Sequence, residues 1–175
     1  MTVEIIKYPN KILAAKAEPV SEVTPEIREL AAAMAEAMYA NEGVGLAAPQ
    51  AGRAIRLVVI DMTGPEKREG LLTLVNPVIV AAAGEQEDEE GCLSVPNYRA
   101  TVKRAATVTV EATDLDGKAM RIEADQLFAV CLQHEIDHLD GVLFIDRISH
   151  LKRSMYDKRV KRWAKTKKLQ EVENS

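Results

Sequence analysis

The chain reads as an α+β protein, with mainly antiparallel strands packed around a central helix and further helices at the N- and C-terminal ends. Three observations predict this. Short strand-like runs crowd between residues 56 and 123, and one pair is joined by a tight-turn sequence. Helical apolar periodicity precedes and follows that region rather than alternating with it, which disfavours a parallel βαβ sheet. The helix after the strands carries a nearly continuous apolar stripe, so it belongs inside the fold.

Each element has its own signal. Thr24 can cap the first helix, Pro25 suits its first turn, and Glu26 and Glu29 complement its positive end. Ile27, Leu30, Ala31, Met34 and Met38 make its buried stripe, and residues 41–43 end it. RLVVIDM, LLTLVN and PVIVAA read as three short strands, the second and third separated by Asn76-Pro77. GEQEDEEG reads as a short acidic loop. TVTVEAT alternates strictly, and DLDG turns it into KAMRIEA, which predicts a hairpin. A second helix is expected over residues 125–139, stopping at Gly141, and a third, basic one over 149–169.

A length of 175 residues suits one domain with a substantial core. We divide it into a body, 1–148, holding every candidate catalytic residue, and a basic helix and tail, 149–175, packed on the same domain. No apolar run approaches the ~20 residues of a membrane span, and the start lacks a signal or transit pattern. Two cysteines suit a reducing compartment rather than a disulfide framework, so the cytoplasm is expected. The net charge of −4 conceals an asymmetry: nine Lys/Arg against three Asp/Glu from Ser149 onward. A basic tail on an acidic body suggests a polyanionic partner, or a solvated helix face. Neither a membrane nor DNA is expected as a partner.

The chemistry centres on QHEIDHLDG, residues 133–141. His134 and His138 stand four apart on a helix, so both rings can face one metal ion, with Glu135 beside them as a base. Leu127, Val130, Cys131, His134 and His138 share one stripe, which places such a site in apolar surroundings. A metallohydrolase needs one more ligand. Phe144 occupies the position where one large class of zinc peptidases has a third histidine, and His150 has the wrong spacing. Cys131 lies seven residues from His138, about 10 Å along the axis, too far for both to share an ion. Cys92 in EEGCLSVP remains: Gly91 lets its backbone come close, and a dication would hold its sulfur deprotonated despite the acids at 87–90. Three protein ligands leave a fourth position open, as catalytic sites do.

GVGLAAPQ (43–50), EGCLS (90–94) and QHEIDH (133–138) resemble, in order and spacing, the three signature motifs of peptide deformylases. The similarity extends over nearly the whole chain, and its long C-terminal helix resembles the bacterial form. The resemblance implies hydrolysis of the formyl group from N-formylmethionine at the start of nascent polypeptides, releasing formate. It implies Cys92, His134 and His138 as metal ligands, Glu135 as the catalytic carboxylate, and Gln50 with the Leu93 N–H as oxyanion donors. It also implies that Gly45 pairs with substrate as an added strand. Fe(II) is the expected metal of the active state, with Zn(II) in aerobic preparations. Val44, Leu127 and Val130 are candidates for the methionine slot, with Arg99 at its rim, and Gly91 is a further substrate-binding candidate. Ribosomal RNA is the expected polyanion for the basic helix. A zinc endopeptidase and a metal-stabilised RNA adaptor are the alternatives; the second would need a fourth protein ligand and would not need Glu135.

Overall fold

Thr24 starts the first helix as expected: its Oγ1 accepts the Ile27 N–H at 3.3 Å, and Pro25 occupies the first turn. A cap of this kind contributes about 1 kcal/mol. The resulting α1 (Pro25–Ala40) buries Leu30, Ala31, Met34 and Met38. The computed structural model describes residues 1–174, and among these no helix is long and apolar enough to cross a membrane.

Five antiparallel strands form the main sheet in the order β1 (Gly45–Ala47), β2 (Leu57–Ile60), β3 (Leu72–Ala83), β6 (Thr107–Thr113) and β7 (Ala119–Asp125). The predicted β6–β7 hairpin is present, with Gly117 in the left-handed region. A short helix, α2 (Gly64–Lys67), lies between β2 and β3. Two expectations fail here. LLTLVN and PVIVAA form one strand, not two. Asn76 takes a left-handed conformation at a bulge, its N–H donates to the Arg56 carbonyl, and its side chain bonds both the N–H and C=O of Val20. The proline's missing donor therefore falls where the ladder is already irregular, which a bulge tolerates. The acidic run is likewise no loop. It is β4 (Gln86–Cys92), paired with β5 (Val95–Arg104) in a separate two-stranded sheet. Cations on β5 explain this: Lys103 lies opposite Glu87, and Arg99 bonds Glu89.

The central helix α3 (Gln126–Leu139) packs against β1, β2, β6 and β7, with Ala129, Leu132 and Leu139 inaccessible to solvent. After it, α4 (His150–Glu173) is capped by Ser149 and runs further than residue 169. Its first turns lie on the body: Tyr156 is fully buried, donates to the Pro96 carbonyl and packs on Tyr98. From residue 161 onward every described side chain of α4 is exposed.

Asp61, inaccessible at the end of β2, ties several of these parts together. Its carboxylate accepts from Tyr39 at 2.6 Å and from the Thr63 hydroxyl and N–H, while its own N–H donates to the Val44 carbonyl. Burial pushes the carboxyl up, but the bonds from Thr63, Tyr39 and the backbone outweigh it and hold the group below its ordinary 3.8. A value lower in the folded than in the unfolded chain means stability that is full above the unfolded value and lost as pH falls through the folded one. Asp61→Asn should therefore lower the urea midpoint at pH 7, with the gap to wild type narrowing below pH 3.8. A gap that stays constant with pH would show that the charge contributes nothing.

Candidate active site

Two elements bring three side chains to one point in the cleft. α3 supplies His134 and His138, and the end of β4 supplies Cys92. Their donor atoms all lie within 4.8 Å of one another, with Cys92 Sγ 3.4 Å from His138 Nε2. Donors of a tetrahedral ion with bonds of ~2.0–2.3 Å lie ~3.5 Å apart. One sulfur and two imidazole nitrogens at this spacing suit zinc or ferrous iron. The remaining candidates stay out: Cys131 packs beside the core with its thiol pushed up to about 12 by burial, and His150 is exposed at the start of α4.

A buried chain of charge stands behind His134. Its Nδ1 lies 2.8 Å from Glu90 Oε1, and Arg104 grips Glu90 through Nε and Nη2 at 2.7 and 2.8 Å. Burial would raise the Glu90 carboxyl, but the bonds from Arg104 and His134 hold it down at about 2. The two histidines are pushed apart. Burial opposes charge on His134, yet Cys92 and Glu90 raise its pKa well above the ordinary range; burial and the nearby cations drive His138 well below it. Glu90 was read from the sequence only as one of four rim acids. It lies inside, and its sole signal was its place in EGC beside a candidate ligand.

Gln50 is buried, not a solvated loop amide. Its Oε1 accepts the Ala47 N–H at 3.0 Å, which forces the NH₂ toward the cleft, 3.0 Å from Ser94 Oγ and 3.6 Å from Cys92 Sγ. Ser94, inaccessible to solvent, closes the EGCLS motif, but its spacing alone assigns it no role. Leu93 follows Cys92 at the cleft wall, its carbonyl bonded by Lys7 Nζ at 2.7 Å.

Glu135 is buried, and its Oε2 has no hydrogen-bond partner among the described residues. Burial pushes its carboxyl up to about 7. The strand β1 makes room for it: a Cβ on Gly45 would stand 2.7 Å from Glu135 Oε1. The glycine expected to admit substrate thus also admits the carboxylate.

The cleft has a volume of about 820 Å³, the size of a small-ligand or peptide site. Val44, Gly45, Gly91, Arg99, Leu127 and Val130 all line it, so every predicted pocket residue is brought together. Leu127 is 52% exposed, a cleft wall rather than core. Arg99 is exposed, bonded to Glu89, and lies over Gly91.

Fold, donor set and cleft together suit a metal-dependent hydrolase. Comparison with known proteins narrows this. Residues 2–154 match the polypeptide deformylase family. A peptide deformylase of Acidobacterium capsulatum is 48% identical over 114 residues, covering 65% of this chain and 67% of its own length. The crystal structure of a peptide deformylase from Legionella pneumophila superposes with a TM-score of 0.89 at 42% identity, over 95% of this chain and 98% of the other. One from Synechococcus elongatus, in complex with actinonin, gives 0.85 at 38% identity, over 90% and 87%. The chain belongs to the peptide deformylase family, metallohydrolases that remove the N-formyl group from nascent N-formylmethionine peptides.

The Gly45 contact generates a prediction. Gly45→Ala should leave metal content and melting temperature near wild type while lowering kcat/KM for formyl-Met-Ala-Ser about 100-fold, because Glu135 must move. Retained activity would mean that the carboxylate relocates freely.

Proposed function

We propose that Cys92, His134 and His138 hold one divalent ion, Fe(II) in the active state or Zn(II) after aerobic preparation, and that Glu135 moves the protons of deformylation. When bound, the metal supplies an activated water and a Lewis acid for the formyl carbonyl. Glu135 accepts the proton at its unpartnered Oε2 and delivers it to the departing amine, for which a carboxyl near neutrality is suited. The Gln50 amide and the Leu93 N–H stabilise the negative oxygen of the tetrahedral state; one such donor is worth ~3 kcal/mol. The formyl-methionyl chain lies along the open edge of β1 at Gly45, its methionine side chain between Val44, Leu127 and Val130, with Gly91 and Arg99 at the rim. The buried, unpaired Glu135 oxygen beside the Cys/His/His cluster is the observation that carries this reading. A structural metal site would have no use for it.

Formate release from formyl-Met-Ala-Ser, by protein prepared anaerobically with Fe²⁺, tests it. Glu135→Ala should keep its metal and lose at least 1,000-fold in kcat, and Gln50→Ala about 100-fold. Turnover by metal-loaded Glu135→Ala within tenfold of wild type would overturn the assignment.

The basic helix gives a second proposal, docking to ribosomal RNA in the cytoplasm. The sequence offered nine cations, Lys152, Arg153, Lys158, Arg159, Lys161, Arg162, Lys165, Lys167 and Lys168. Two are already engaged: Arg153 bonds Asp146, and Arg159 bonds the Asn97 carbonyl. Seven remain exposed, and the five from Lys161 onward lie where the helix stands clear of the body. Replacing Lys161, Arg162, Lys165, Lys167 and Lys168 with Gln should abolish salt-sensitive cosedimentation with ribosomes and leave deformylation intact. Unchanged cosedimentation would remove the proposal.

A further inference from the structure

His134 and His138 are held very differently. His138 Nδ1 is buried with no hydrogen-bond partner among the described residues. His134 Nδ1 meets Glu90, so its ring is the one whose orientation a side chain dictates. Partners of this kind fix the tautomer and aim of a ligating imidazole. The question is what holds Glu90.

Arg104 holds it, 2% exposed in its side chain and engaged at all three nitrogens. Nε and Nη2 form a two-pronged contact with Glu90, which defines the plane of the pair but leaves it free to rock. Nη1 removes that freedom by donating to Asp137 Oδ2 at 2.8 Å. Asp137 is gripped in turn from the outside. Arg147 Nε donates to the same Oδ2 at 2.6 Å and Nη2 to Oδ1 at 2.8 Å. The charges alternate from the surface inward: Arg147, Asp137, Arg104, Glu90, then the ligand. The outer end opens into a second cleft of about 370 Å³, lined by Lys103, Gln133, Asp137 and Arg147, and so by α3 residues different from those that line the main cleft. Asp137 occupies one of the unspecified positions inside the H-E-x-x-H pattern, where sequence spacing assigns nothing.

We propose that Asp137 is a positioning residue for the ligand His134, acting through Arg104 and Glu90, and that Arg147 locks Asp137 in the orientation this requires. The inference rests on the reading that Cys92, His134 and His138 hold the metal. Without Asp137, a guanidinium sealed from water keeps only one of its two carboxylate partners, and the Glu90–Arg104 pair shifts to compensate. The His134 ring follows. The effect falls on how firmly and in what geometry the metal is held.

Cobalt(II) reports both. The full-length protein is loaded with Co²⁺, its visible absorption recorded, and metal loss timed in excess EDTA. Asp137→Asn should release Co²⁺ 10- to 100-fold faster than wild type, with altered band positions. Arg147→Gln should release it about 3- to 10-fold faster, and Arg147→Lys, which keeps the charge but not the fork, should lie between that and wild type. Arg121→Gln removes an exposed ion pair with Glu111, unconnected to the chain, and sets the baseline. Arg147 is partly exposed, so its variants decide the matter even where Asp137→Asn does not fold. Release rates and spectra for the folded variants equal to those of Arg121→Gln would overturn the proposal, whatever happens to melting temperature. Failure of wild type to bind one Co²⁺ would sink the metal reading itself and this inference with it; tight binding with indifferent variants would sink the inference alone.

Discussion

The architecture depends on a guanidinium sealed from solvent. Arg104 ends β5, grips Glu90 on β4 and reaches Asp137 on α3, so one planar cation fixes where the small sheet meets the central helix. Neither carboxylate nor cation could remain buried alone, because removing one partner of such a set costs ~3–5 kcal/mol. The cleft walls are therefore held in register by charges that can be satisfied only in one arrangement. That arrangement brings Cys92, two residues beyond Glu90, against His134 and His138. A sulfur on one sheet and two nitrogens on a helix become one donor set because of it.

Around that junction the cleft wall carries little side-chain bulk at Gly43, Gly45 and Gly91. Gly45 lies on the edge strand β1, close enough to Glu135 that any larger residue would displace the carboxylate. Gln50 turns its amide into the cleft because the Ala47 N–H claims its oxygen, and Ser94 steadies the nitrogen. The N-terminal segment straps both walls: Ile6 N–H donates to Gln50 O, Tyr8 N–H to Ser94 O, and Lys7 to Leu93 O. The groups assigned to the developing charge are thus held by contacts made before substrate arrives, which is what electrostatic preorganisation requires.

The C-terminal helix divides along its length into a packed part and an exposed part. Its first turns brace the 92–97 turn through Tyr156 and Arg159, and the N-terminal segment through the bond from Arg153 to the Tyr8 hydroxyl. From residue 161 every described side chain is exposed, though the Trp163 ring still meets Tyr156 edge-on. A long helix so placed depends on its own propensity, and its cations are free to meet a polyanion.

The sequence alone determined what is local. The Thr24 cap, the α1 stripe, the β6–β7 hairpin and the i, i+4 histidines follow from periodicity and turn chemistry within a few residues of each other. Most of the candidate site was legible for the same reason, and resemblance to a family's motifs joined its distant parts. Tertiary structure decided whatever depends on a distant partner. The acidic run is a strand because β5 answers it with cations, although the alternation of RATVKR was there to be read. Asn76-Pro77 bends a strand instead of ending it because Val20 and Arg56 satisfy the asparagine. Glu90 is an inner residue and Glu89 a rim residue, though they are neighbours of identical chemistry. Which of two adjacent glutamates is buried is set by a guanidinium 14 residues away from Glu90 and by a helix 44 away, and burial at that price in solvation is possible only once all three are assembled.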